Sequence, residues 1–213
     1  MIMATIAIPV ERHVILSGVS WETYQRLGAD YQDRPGARFT YNEGNLEIMV
    51  RSARHEEPNR MLALLVELIA AELGIEWRLL GSTTFQREDL LKGFEPDSSF
   101  YIKHAPEIGD RDVDPATDPP PDLIIEVDVT RSSLDRFPIF AAFGVPEVWR
   151  YDGIRVTIFR LEGGRYVESE FSSALPPLTG QVATRFLEER RRTRSTEWVR
   201  RVRDWARGQP QRR

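Results

Sequence analysis

The sequence predicts a mixed α+β or α/β domain. Three observations carry this: a long segment with helical apolar spacing in the first half, short apolar runs bounded by turn residues on either side of it, and an amphipathic helical stretch at the end. The 213 residues suit one domain of ordinary size. Apolar residues make up 41% and charged residues 29%, the globular range, which excludes wholesale disorder. No apolar run is long enough to span a bilayer. The opening "MIMATIAIPV" has no basic segment before it and meets Pro9 and Glu11, so it is a poor secretory signal. With no cysteine, disulfides and thiolate metal sites are excluded. The simplest location is the cytoplasm.

The elements follow in order. Trp21–Tyr31 reads as a short helix. Arg38–Val50 reads as a hairpin, with Asn42–Asn45 supplying its turn. Glu56–Gly74 is the clearest helix: Pro58 fits its first turn, Gly74 can end it, and Met61, Leu62, Leu65, Leu68, Ile69 and Leu73 follow helical spacing. Short strands are expected around Glu76–Leu80 and Thr84–Arg87, and another beginning near Asp97. Lys103–Pro121, rich in Asp and Pro, should be a loop. "PDLIIEVDVT" then reads as a strand, and "SSLDRFPIFAAFG" as a helix with a Ser cap and a Gly stop, which tolerates Pro138 only if its first turn begins late. "VPEVWRYDG" gives a strand, and the next two segments a hairpin turning at Gly163–Gly164. In the closing helix Trp198, Val202 and Trp205 share one face. The organisation expected is an N-terminal extension over residues 1–16, one domain over 17–188, and an Arg-rich helix and tail over 189–213.

Charge is uneven along the chain. The net charge is −4, yet Arg185 to Arg213 holds eleven arginines and four acids, +7, which leaves −11 for the rest. Lys92 and Lys103 are the only lysines.

The most informative segment is "PDLIIEVDVTRSSLDR". Residues two apart in a strand share a face, so Asp122, Ile124, Glu126, Asp128 and Thr130 point one way and Leu123, Ile125, Val127 and Val129 the other. Ionised carboxylates in a closed core would each cost several kcal/mol unless neutralised. Either this face meets solvent or it lines a cleft where carboxylates hold a divalent cation. Asp97, at the head of a preceding strand, is a second acid for such a cleft. Oxygen donors suit Mg²⁺. Three widely spaced histidines (His13, His55, His104) and no cysteine make zinc a poor fit.

"PD" followed by an acid in an apolar strand is the outline of the PD-(D/E)xK nuclease superfamily. With "LEIMVRSARHE", "GSTTFQREDLLKGFEPDSSFYI", "PPPDLIIEVDVTRSSLDRFPIFAAFGVPEVWRYDG" and "WVRRVRDWAR", the chain resembles the Uma-two family of restriction-endonuclease-like proteins from about Ser17 to Arg207. The resemblance implies a restriction-endonuclease-like fold, a central mixed sheet flanked by helices with an N-terminal β-hairpin. It further implies a Mg²⁺- or Mn²⁺-dependent DNA endonuclease; a homodimer is expected, and no membrane association. Asp97 and Glu126 then match the metal-binding acids, and the Val127 carbonyl is a third ligand. His55 and Glu57 match a polar region beside the site. The third position of the (D/E)xK triplet is Asp128 rather than lysine, and the family's lysine on the following helix is here Arg136. An arginine can bind phosphate through a fork of N–H groups but cannot act as a base. Asp128 would assist the metal or a water.

Simpler readings stand beside these. His55 equally suits a structural hydrogen bond, Glu57 a helix-dipole partner, and Asp122 a turn or cap. Trp149 and Tyr151 read as core. Arg200, Arg203 and Arg207 can bind phosphates or simply form the solvated face of a packed helix. The rival function is a non-catalytic protein of the same fold that binds nucleic acid or a protein. A structural interaction module whose acidic strand faces solvent is a third.

Overall fold

The computed structural model describes residues 12–31, 36–50, 53–128 and 134–209. Strand β1 (Arg12–Leu16) runs antiparallel to β3 (Asn45–Val50), whose other edge pairs with β2 (Ala37–Asn42). The β2–β3 turn places Glu43 and Gly44 at φ 48° and 92°, the left-handed backbone a two-residue hairpin needs. Helix α1 (Trp21–Tyr31) buries Trp21 and Tyr24 against Phe39, Tyr41 and Leu46. Two further strands, β5 (Phe85–Arg87) and β6 (Lys92–Phe94), complete a five-stranded antiparallel sheet in the order β1-β3-β2-β6-β5. Gly93 on β6 is required: a Cβ there would lie 2.1 Å from the Tyr24 hydroxyl.

The second sheet is the central one. Its order is β11 (Arg165–Ser169), β10 (Val156–Glu162), β9 (Glu147–Tyr151), β8 (Leu123–Val127), β7 (Ser98–Tyr101), β4 (Arg78–Gly81). Only β8 and β9 are parallel, with α4 (Phe137–Phe143) as their crossover, so the sheet is mixed. One face packs on α2 (Ala53–Leu73), α5 (Gly180–Arg190) and α6 (Ser195–Arg207), through Leu62, Leu65, Val66 and Ile69 against Leu123, Ile125, Val127, Trp149 and Tyr151. The other face packs Ile124 and Val148 against Phe85, Phe94, Phe140 and Phe143, so this side is covered by the first sheet and α4.

Several expectations are corrected. The strand expected near Asp97 is β7, and a further strand, β6, precedes it, set apart by Pro96, which cannot donate to a ladder. The chain leaves the first sheet after β6 and joins the second at β7, with Asp97 at the crossing. The Asp- and Pro-rich loop contains a short helix, α3 (Ala105–Ile108). Helix α2 begins at Ala53, so Pro58 falls inside it rather than in its first turn. Helix α4 begins after Arg136, which puts Pro138 in the first turn; the expected Ser cap, at residues 132–133, lies outside the described residues. Helix α5 had no sequence reading of its own and is capped by the Thr179 hydroxyl, which accepts from Val182 N. Finally, β8 is buried on both faces, so Asp122 and Glu126 do not face solvent, while Asp128, just past its end, is partly exposed. A strand between two covering layers has no wet side.

Residues 12–16, expected as part of an extension, are a sheet strand, and α6 from the Arg-rich segment packs in the main core through Trp198, Val202 and Ala206. Trp149 and Tyr151 are core residues, as expected.

Candidate active site

Asp97 is fixed from three directions. Its Oδ2 accepts from the Val127 backbone N–H at 2.7 Å and lies 3.0 Å from His55 Nε2. Its own backbone carbonyl accepts from Asn59 Nδ2 at 3.1 Å, and Asn59 Oδ1 accepts from the Ser98 hydroxyl at 2.9 Å. His55 and Asn59 are four residues apart, on one face of the start of α2. Both are buried, as is Asp97. The bond to Val127 N sets Asp97 beside the C-terminal end of β8, where Glu126 is the neighbouring residue.

Glu126 belongs to the β8 face opposite Val127. Its Oε2 accepts from Arg136 Nη1 at 2.7 Å. Arg136 extends from the residue before α4, and its second arm, Nη2, reaches Glu47 Oε2 at 3.1 Å, with Met49 Sδ at 3.7 Å. Glu47 and Met49 alternate on β3, so they share a face. Glu47 Oε1 in turn lies 3.3 Å from His13 Nδ1 on β1. One guanidinium thus joins the two sheets. Burial alone would favour the neutral form of Arg136, but the carboxylates of Glu126, Glu47 and Asp97 outweigh it, and its pKa is raised. Arg136 Nε is buried with no hydrogen-bond partner among the described residues.

Not every expected residue joins this cluster. Asp128 is partly exposed and bonded by Arg150 Nη2 at 2.7 Å. Asp122 sits at the other end of β8, where Oδ2 accepts from the Ile102 and His104 backbone N–H groups and Oδ1 lies 2.8 Å from His104 Nδ1. That is the cap. Glu57 is exposed, and two residues turn α2 by about 200°, away from the face of His55. On α6, Arg203 and Arg207 both hold Glu72, while Arg200 is exposed. The cluster also contains residues the sequence reading did not select: Glu47, Met49, His13 and Asn59. Glu47 carried the same sign as Glu126, an acid inside an apolar strand.

The side-chain oxygen donors at this junction are Asp97, Glu126 and Glu47. Among the described residues, no three acidic or histidine side chains already stand as a metal-binding group. The donor chemistry fits a hard cation such as Mg²⁺ that takes one or two carboxylates and keeps several waters. Glu126 Oε2 is already held by Arg136.

Two sheets flanked by helices, with acids gathered where the sheets meet, define a restriction-endonuclease-like protein. The chain belongs to the Uma2 family, whose sequence profile, described as "Putative restriction endonuclease", matches residues 21–189. No match was found among curated proteins.

Proposed function

We propose that this protein is a metal-dependent DNA endonuclease that hydrolyses phosphodiester bonds. The observation that supports it is the meeting of Asp97, Glu126 and Glu47 around Arg136 at one end of β8. In this reading Asp97, Glu126 and the Val127 carbonyl hold Mg²⁺ or Mn²⁺. Bound there, the cation supplies screening of the phosphate's charge and a lower pKa for water. Arg136 is held by two carboxylates; when Glu126 turns to the cation, one arm of the guanidinium is released to a phosphate oxygen. His55 and Val127 N keep Asp97 oriented, and Asp128, next to Glu126 on the strand and partly exposed, orients water.

A homodimer and a cytoplasmic location go with this reading. Strand β1 ends its sheet among the described residues with Val14, Ile15 and Leu16 exposed, an edge on which a second copy can pair. No described helix is long and apolar enough to cross a membrane.

The test is cleavage of plasmid and single-stranded DNA with Mg²⁺, Mn²⁺ or EDTA. Wild type is expected to cut only with metal, and Asp97→Asn to lose about a thousandfold, roughly 4 kcal/mol of barrier. Calorimetric Mn²⁺ titration should show binding to wild type and none to Asp97→Ala. Equal cutting by Asp97→Asn, or equal Mn²⁺ binding by Asp97→Ala, sinks the assignment. One observation favours a second reading: where the family resemblance places a lysine, Arg136 is locked between two acids. A protein that binds DNA but cuts it with neither metal would be the non-catalytic relative.

A further inference from the structure

A cavity of about 420 Å³ lies on the other side of the β8 and β9 ends from Glu126. Its walls are the start of α2 (Glu57, Pro58, Met61), the end of β9 and its turn (Tyr151, Gly153), and the end of α5 (Leu187, Arg190, Arg191). Tyr151 pairs in register with Val127, and its backbone carbonyl accepts from Asp128 N at 2.7 Å. Tyr151, one of its walls, therefore belongs to the strand next to the residue whose carbonyl is read as a metal ligand. Pro58 and Met61 are its half-buried apolar residues, with the nearly fully buried Tyr151 and Leu187 beneath them. The rim carries two guanidiniums against one carboxylate.

Both arginines are anchored by hydrogen bonds, Arg190 half-buried and Arg191 at the exposed rim. Arg191 Nη2 donates to the Tyr151 hydroxyl at 2.9 Å, and that hydroxyl donates onward to Gly153 O at 2.8 Å. The rest of the Arg191 fork meets no described residue, which leaves N–H donors for an anion. Arg190 is anchored on Thr193 O and the Ser195 hydroxyl. A preformed concave site with half-buried apolar residues and an anchored guanidinium at the rim suits a planar ring joined to a phosphate.

We infer that this cavity is a nucleotide subsite: it takes one unpaired base of a DNA strand against Pro58 and Met61, with the attached phosphate on Arg191. The inference rests on the nuclease reading and extends it to the form of the substrate. A base within a duplex must first be unstacked and turned out, at a cost of a few kcal/mol, so the preferred substrate is a single strand or an opened end.

The experiment is binding in EDTA, which separates it from catalysis. Fluorescence anisotropy reads affinity for a short labelled oligothymidylate and a blunt duplex of equal length, and calorimetry reads free thymidine monophosphate. Wild type should prefer the single strand. Arg191→Gln should weaken it by about tenfold, 1.4 kcal/mol, and leave the duplex unchanged. Arg191→Lys should recover only part, because the fork is lost. Arg26→Gln, an exposed arginine on α1, is the control for loss of charge alone and should change nothing. Binding of the monophosphate would extend the site to free nucleotides; its absence with oligomer binding intact would confine it to strands. Equal affinity of Arg191→Gln and wild type for the single strand overturns the inference. If metal-dependent plasmid cutting survives that result, the nuclease reading stands without the subsite.

Discussion

Two buried glutamates on neighbouring strands of the central sheet have opposite fates. Glu147 on β9 is surrounded by neutral donors: Trp149 Nε1 at 2.6 Å and the Ser172 hydroxyl at 2.5 Å on Oε1, and Ser173 N at 2.6 Å, its hydroxyl at 2.5 Å and Ala174 N at 3.3 Å on Oε2. Glu126 on β8 faces the cationic Arg136, itself shared with Glu47. Neutral donors on a folded loop cannot leave without undoing the loop. A cationic side chain can be exchanged for another cation. Burial alone therefore does not separate a structural acid from a site acid; the kind of partner does.

The sharpest way to break this comparison is Glu147→Ala. It strands buried donors from Trp149 to Ala174, each costing about 1–3 kcal/mol when left unpaired, so a total loss of about 3–5 kcal/mol is expected. Urea unfolding measures it. Mn²⁺ affinity of the folded protein should stay at the wild-type value. A loss below about 1 kcal/mol would mean the saturated shell is not what holds the acid.

How much of this was legible depends on range. The turn at Glu43–Gly44, the long helix and the hairpin at Gly163–Gly164 are local, and their signals lie within a few residues. Asp97 and Glu126 are paired by the resemblance more than by any local pattern, and the fold brings both to the end of β8. Glu47 was not selected, because it joins Arg136 only where two sheets meet, 89 residues apart in the chain. No period along a strand reports that junction. The acidic face of β8 was equally ambiguous, since alternation tells which residues share a face and not what covers it. Asp122 and Glu126 share a face by alternation, yet four residues of strand, about 13 Å, separate a turn cap from the site.

Arg136 offers a second, smaller effect that sharpens the comparison. Arg136→Ala removes the cation from Glu126 and Glu47 together and should destabilise the metal-free protein by about 3 kcal/mol, the scale of breaking a buried pair. Mn²⁺ should then restore more stability than it adds to wild type, because a cation binding only the folded state stabilises it by mass action. Thermal melts with Mn²⁺ and with EDTA read both. The same shift in the two conditions would show that the acids do not exchange partners. Wild-type cutting is expected to be slow and better with Mn²⁺. Arg136→Lys should raise it about tenfold, near 1.4 kcal/mol of barrier, since an ammonium can lose its proton when desolvated and a guanidinium cannot. DNA binding should fall in Arg136→Ala.

The smallest effect applies the same distinction to the arginines of α6. Arg203 Nε lies 3.1 Å and Arg207 Nε 2.7 Å from Glu72 on α2, so both already have an acid to hold. Hydrogen bonding to Glu72 also raises the Arg207 pKa. Arg200 is exposed and has no ion pair among the described residues. Each phosphate neutralised adds about 0.9 to the slope of log affinity against log salt on duplex DNA. An arginine that must first leave a carboxylate contributes less than one that is already available. Arg200→Gln should therefore flatten the slope by close to that full value, and Arg203→Gln and Arg207→Gln by less, with anisotropy at several salt concentrations as the measurement. Equal flattening by all three would show that Glu72 does not hold its arginines against DNA. An unchanged slope in all three would leave α6 as a packing helix, fixed by Trp198, Val202 and Ala206 with its basic face in solvent.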